Sequence, residues 1–135
     1  MTDCQEWLNE ITYTAEQILN EDLAALKRMP ERSRIERYND LKGEEEELNW
    51  EFGKECPDFL TSKEEDRLRG EIRLARLLLA ASFYAEGDLP RAMENDFIEA
   101  ELDAVVEFDR YKQFDALDEE QIESRIRRME GEVYE

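Results

Sequence analysis

The chain has 135 residues, of which 37 are acidic and 18 basic, for a formal charge of −19, and it contains no histidine. That length suits one hydrophobic core rather than two. The charge repels nucleic-acid backbone and anionic lipid headgroups, so direct DNA, RNA or membrane binding is not expected, and without imidazole the commonest general base and metal ligand are gone.

Hydrophobic residues make up 41% of the chain, with only 5 Gly and 3 Pro. This predicts long helices joined by short turns, not a disordered or β-rich chain. A first helix is expected from about Asp3 to Arg28, since Trp7, Leu8, Ile11, Ala15, Ile18, Leu19, Leu23 and Leu26 recur at three- and four-residue steps. Thr2 or Asp3 can cap it, and Met29-Pro30 stops it. A second helix is expected near Ser33, where Ser33 and Glu36 have capping-box spacing. Its buried face is read as Ile35, Tyr38, Leu41, Leu48 and Phe52. A kink or break is expected at Gly43, and a loop over 53–57.

A third helix starts at Thr61 or Ser62, each with Glu three residues on. It carries Leu68, Ile72, Ala75, Leu79 and Ser82 on one stripe and is the most apolar helix, so it is expected at the centre. Gly87 should close it, with Asp88 capping the next helix and Pro90 in that helix's first turn. A fourth helix is read from Pro90 to about Phe114, with Met93, Phe97, Ala100, Ala104, Phe108 and Tyr111 as its stripe. A short fifth, Glu119 to about Glu130, opens with Asp118 and Gln121 at capping-box spacing and Leu117 with Ile122 as a staple; 131–135 are read as a frayed tail. The expected fold is therefore one all-α domain over 1–135, an up-and-down antiparallel bundle of about five helices with a central helical hairpin.

Ala80, Phe83, Gly87, Asp88 and Ala92 around that hairpin resemble the helix-turn-helix of a tetratricopeptide repeat. The resemblance covers about 20 residues, and with no second copy it implies shared turn chemistry rather than a groove of stacked repeats.

Cys4 and Cys56 lie outside any metal-ligand spacing and are expected as reduced structural thiols. No basic region followed by an apolar stretch occurs at Met1 to Glu6, and the longest apolar run, Leu77 to Ala81, is too short to cross a bilayer. A cytoplasmic location is the expectation.

Charge is unevenly spread. Residues 44–66 hold ten acids against two bases, and residues 86–120 hold thirteen against three. Either the carboxylates steer toward a basic partner, or they solvate the protein in a high-salt cytoplasm, which 13 arginines against 5 lysines would suit. Arg69, Arg73 and Arg76 share one helical face. They are expected to pair with neighbouring acidic helices; the sharper alternative is a face that grips an acidic motif or phosphate. Most aromatics belong to buried stripes. Trp50, Phe59, Tyr84 and Phe114 fit less well and would mark an interface if exposed together.

One enzyme class is worth weighing. All-α nucleotide pyrophosphatases hold Mg²⁺ with E-x-x-E on one helix and E-x-x-D on the next; Glu44 with Glu47 and Glu55 with Asp58 have those spacings, but Pro57 breaks the helix the second pair needs. The leading expectation is non-enzymatic and without cofactor or metal. It is an acidic domain that binds a protein partner, basic where charge decides, or a second copy of itself. The candidate contact residues are Glu44, Glu45, Glu46, Glu47, Glu51, Glu99 and Asp103, with Arg69, Arg73 and Arg76.

Overall fold

The computed structural model describes residues 3–115, so the helix expected over 119–130, with Arg125, Arg127 and Arg128, and the tail after it lie outside the described residues. Among the described residues all regular structure is helical. The order is α1 (Cys4–Leu19), α2 (Leu23–Arg28), α3 (Glu31–Glu46), a π-helix (Glu47–Phe52), α4 (Gly53–Glu55), α5 (Ser62–Ala85), α6 (Arg91–Glu94) and α7 (Glu99–Asp115). None of the described helices is long and apolar enough to cross a membrane.

The central position expected for the most apolar helix is found: α1, α2, α3 and α7 all pack on α5. Ile72, Ala75, Leu79, Ala80, Ala81 and Ser82 of α5 are fully buried. Each buried large aliphatic side chain contributes about 1.5–3 kcal/mol. Both ends of α5 are built as expected. Thr61 and Glu64 exchange hydrogen bonds in a capping box, and the Thr61 contacts hold the Glu64 carboxyl below its usual range. At the other end Gly87 takes φ +78°. The Asp88 N–H then reaches the Phe83 carbonyl at 3.0 Å and the Gly87 N–H reaches that of Tyr84 at 3.0 Å, a paired closure that needs the left-handed residue.

Four expectations are corrected. The first helix is two, because Asp22 caps α2 by accepting from the Ala25 N–H at 2.7 Å. The apolar stripe continues across the break through Ile18, Leu23 and Leu26, all buried. Next, α3 opens directly after Pro30 and not at Ser33, which lies inside the helix. Arg34 rather than Ile35 then leads the inward stripe, followed by Tyr38, Leu41 and Leu48. Gly43 does not break the chain; the backbone stays helical through it and widens a turn later into the π-helix. Lastly, the helix read from Pro90 is interrupted at 95–98, and Pro90 rather than Asp88 stands at the start of α6. The interruption resets the register, so Ala100 and Ala104 are exposed and Leu102 is buried in their place.

The π-helix has a geometric reason. Leu48, Phe52 and Cys56 follow one another at four-residue steps, and all three are buried. In an ordinary α-helix eight residues overshoot two turns by about 80°, which would swing Cys56 away from the core. Bonds from i to i+5 widen the turn and keep the three on one side. Cys56 thereby meets Cys4 at the start of α1, and the two form a disulfide with Cα atoms 6.1 Å apart. This corrects the expectation of free thiols: the partners lie 52 residues apart and meet only because α1 packs against both α3 and the π-helix.

Candidate interaction surface

The ten candidate contact residues divide into two sets, those that hold helices together and those that face outward. The arginine face of α5 belongs to the first. It lies between two acidic neighbours, and each arginine reaches a different element. The Arg69 Nε donates to Asn49 of the π-helix at 2.5 Å, and its other nitrogens pair with Glu65 and Asp66 within α5. Arg73 pairs with Glu101 of α7 at 2.8 Å and stands 5.1 Å from the Phe97 ring centre. Arg76 is the most enclosed, its side chain only 12% exposed, and pairs with Glu45 of α3 at 2.8 Å. The pairing of arginines with neighbouring acidic helices is thus present, and the face they share is a seam within the fold.

Around Arg76 is a network whose key carboxylate looks, in the sequence, like one more member of an acidic run. Asp96, in the interruption before α7, accepts from the Tyr38 hydroxyl and from the Lys42 ammonium at 3.1 Å, with Arg76 at 3.8 Å. Burial works against the Asp96 carboxylate, but the Tyr38 and Lys42 hydrogen bonds and the charges of Lys42 and Arg76 hold it below its usual range. Burial, followed by the bond to Asp96, pushes the Tyr38 phenol well up, so Tyr38 keeps its proton and donates it. The signal that could have found this network was the helix-breaking Asn95-Asp96 pair itself, since a carboxylate in a break between helices can turn inward.

Glu99 and Asp103, one turn apart on α7, do share a face: both receive the Tyr84 hydroxyl, at 3.3 Å and 2.8 Å. The bond to Asp103, then burial, moves that phenol up to about 12.

Glu44 is half-buried between α1 and α3. Its Oε1 accepts from the Thr14 hydroxyl at 2.8 Å, while its Oε2 is buried without a hydrogen-bond partner. Burial, opposed by the Thr14 bond and assisted by the nearby Asp40 and Glu47 charges, raises this carboxyl to about 7. The folded form therefore holds the proton more tightly than the unfolded chain, whose value is near 4.5. The stability this contributes is complete below about 4.5 and is lost as pH rises through about 7. Urea midpoints of Glu44→Gln and the parent should accordingly diverge between about pH 5 and about pH 8, with the variant ahead at the higher pH. An equal difference at both would exclude Glu44 as the source.

The outward set lies on the π-helix and the turn before it. Glu46, Glu47 and Glu51 are at the surface there, with Glu47 accepting from the Trp7 indole nitrogen at 3.4 Å. Between them Trp50 is 75% exposed, the most exposed large hydrophobic residue among those described. It sits midway between Leu48 and Phe52, and because those two face inward it points away from the core. Phe59 is also exposed and edges onto Phe52, which in turn contacts Trp7. Of the four aromatics that fit the stripes less well, Trp50 and Phe59 are exposed, Tyr84 is half-buried, and the Phe114 side chain lies outside the described set.

Glu44 and Glu47, the first carboxylate pair of the pyrophosphatase pattern, are engaged by Thr14 and Trp7. Among the described residues no group of three or more acidic or cysteine side chains is placed to hold a metal ion. No family model, no curated protein and no solved structure matches this chain.

Proposed function

We propose that the chain is a non-enzymatic interaction domain that binds a basic protein partner through its carboxylate-rich exterior. The observation that supports this most is where the cations go. Arg34, Arg69, Arg73, Arg76 and Lys42 are all drawn into pairs within the fold, so the exposed charge around 46–51 is left acidic. Such a surface speeds encounter with a basic partner and rejects acidic ones. It also disfavours self-association through the same face, because a two-fold contact would set Glu46, Glu47 and Glu51 against their own copies.

A cytoplasmic location, expected from the sequence, and the Cys4–Cys56 bond pull in opposite directions, since glutathione keeps cytosolic cysteines reduced. The proposed binding holds in either compartment, because it rests on carboxylates and not on the bond.

The experiment is a partner recovered from native lysate, identified, purified and titrated against the domain at two salt concentrations. Between about 0.1 M and about 1 M salt the screening length falls from about 10 Å to about 3 Å. The affinity should drop at least about tenfold. An acidic partner, or one whose affinity ignores salt, would overturn the proposal.

A further inference from the structure

The folded chain repeats one device. Wherever a cation lies over an aromatic ring among the described residues, a carboxylate holds the same cation: Arg34 over Phe83 with Glu86, Arg73 over Phe97 with Glu101, Arg76 near Tyr38 and Phe97 with Glu45, and Lys42 over Tyr38 with Asp96. Ring and carboxylate are complementary here, since the π-face attracts the positive charge while the carboxylate bonds its N–H groups. Trp50 presents the same pairing turned outward. The indole, the strongest of the cation-binding rings, stands exposed among Glu46, Glu47 and Glu51, and no cation of the described residues covers it.

The platform around it is held on three sides. The Arg69 Nε fixes Asn49 on the α5 side at 2.5 Å. The Trp7 indole fixes Glu47 on the α1 side at 3.4 Å. Beyond the π-helix, Cys56 is tied to Cys4. A backbone held in this way leaves only the Trp50 side chain's own two torsions to be fixed on binding. The wide turn that carries it is also of a kind found frequently at functional sites.

From this we infer that Trp50, with Glu46, Glu47 and Glu51 at its rim, is the docking point for an arginine side chain of the basic partner. The inference rests on the interaction-domain reading above and names the partner's anchoring chemistry. Arginine fits better than lysine because a planar guanidinium can stack flat on the indole while its edge N–H groups reach two carboxylates at once. An ammonium can meet a ring and a carboxylate, as Lys42 does, but has no plane to stack and no fork to bridge the rim. A second copy of the chain is a poor occupant, since it brings the same carboxylates to the same place.

The test uses nona-arginine and nona-lysine as probes at low salt. Of the two tryptophans in the chain, Trp7 packs edge-on against Phe52, so the emission change that is seen in the parent and lost in Trp50→Phe reports the site directly. Nona-arginine should produce that change and bind more tightly than nona-lysine. Trp50→Ala should lose about tenfold in affinity for nona-arginine, as removal of a partly desolvated cation–π contact does, while Trp50→Phe keeps most of the binding. Unchanged circular dichroism in both variants guards against a folding effect. If Trp50→Ala binds as the parent does, with affinity still falling in salt, the docking point is rejected and the acidic-exterior reading stands. If neither peptide binds, both fall.

Discussion

Removing the Cys4–Cys56 bond is expected to cost about 4 kcal/mol of folding stability, the largest effect of any change short of gutting the core. The magnitude comes from the loop. The bond closes 52 residues of chain, and a cross-link of that span restricts the unfolded ensemble by about 14 cal/mol/K. For a chain of this size the melting temperature should fall by roughly 15 °C. The double variant Cys4→Ser with Cys56→Ser, and the parent in reductant, should move together in urea unfolding. A thiol assay in denaturant should find neither cysteine free in the untreated protein. Two titratable thiols there, or identical urea midpoints with and without reductant, would show that the bond does not form.

The same loss should not be even along the chain. Cys56 anchors the turn just after the π-helix and α4, a segment otherwise held by buried Leu48 and Phe52 and by single side-chain bonds from Trp7 and Arg69. Opening the bond releases that turn first, so amide exchange over 47–56 should quicken more than exchange over α5. If Trp50 is the docking point, its order and therefore its affinity depend on the oxidised state.

How much of the fold was legible in the sequence varies with how local each cause is. The α5 helix was readable at both ends because its signals act within six residues: Thr61 with Glu64, and Gly87 and Asp88 with the carbonyls of Tyr84 and Phe83 respectively. Its stripe was readable because Leu68, Ile72, Ala75 and Leu79 keep strict helical spacing and all are buried. The stripe of α7 failed for a corresponding reason. Asn95 to Ile98 leave the helix, and any break of uncertain length scrambles the phase of the residues after it, so Leu102 took the place assigned to Ala100 and Ala104. The π-helix is harder still, since one widened turn leaves four-residue apolar spacing intact and changes only which way the residues between it point. The disulfide depends on two ends of distant helices arriving together, which no local pattern encodes. At the candidate surface, the spacing of Arg69, Arg73 and Arg76 put them correctly on one face. Spacing could not say that α3 and α7 flank that face and absorb its charge.

Arg34 is the clearest instance of a residue whose type misleads, and it carries the second large prediction. A charged side chain one place before Ile35 reads as solvent-facing, yet Arg34 is 2% exposed and Ile35 looks outward. Its Nη1 donates to the Ser82 hydroxyl at 3.1 Å, its Nη2 reaches Glu86 at 3.4 Å, and its guanidinium lies 4.1 Å from the centre of the Phe83 ring. The arginine therefore latches α3 to the last turn of α5, and it does so at a price, because its Nε is buried with no partner.

Two variants separate the parts. Arg34→Ala removes stem and charge together, leaving a cavity against Phe83 and Ser82 without its donor, and should lose about 3 kcal/mol. Arg34→Met keeps the apolar stem over Phe83 and removes both the charge and the orphaned Nε, so it should stay within about 1 kcal/mol of the parent or exceed it, as replacements of buried ions by well-packed apolar groups often do. Glu86, whose side chain is 32% exposed, can turn to water once Arg34 is gone and so adds little to either loss. Urea midpoints of the two variants decide the matter. A methionine variant as unstable as the alanine one would mean that the ion pair, and not the packed stem, holds α3 against α5.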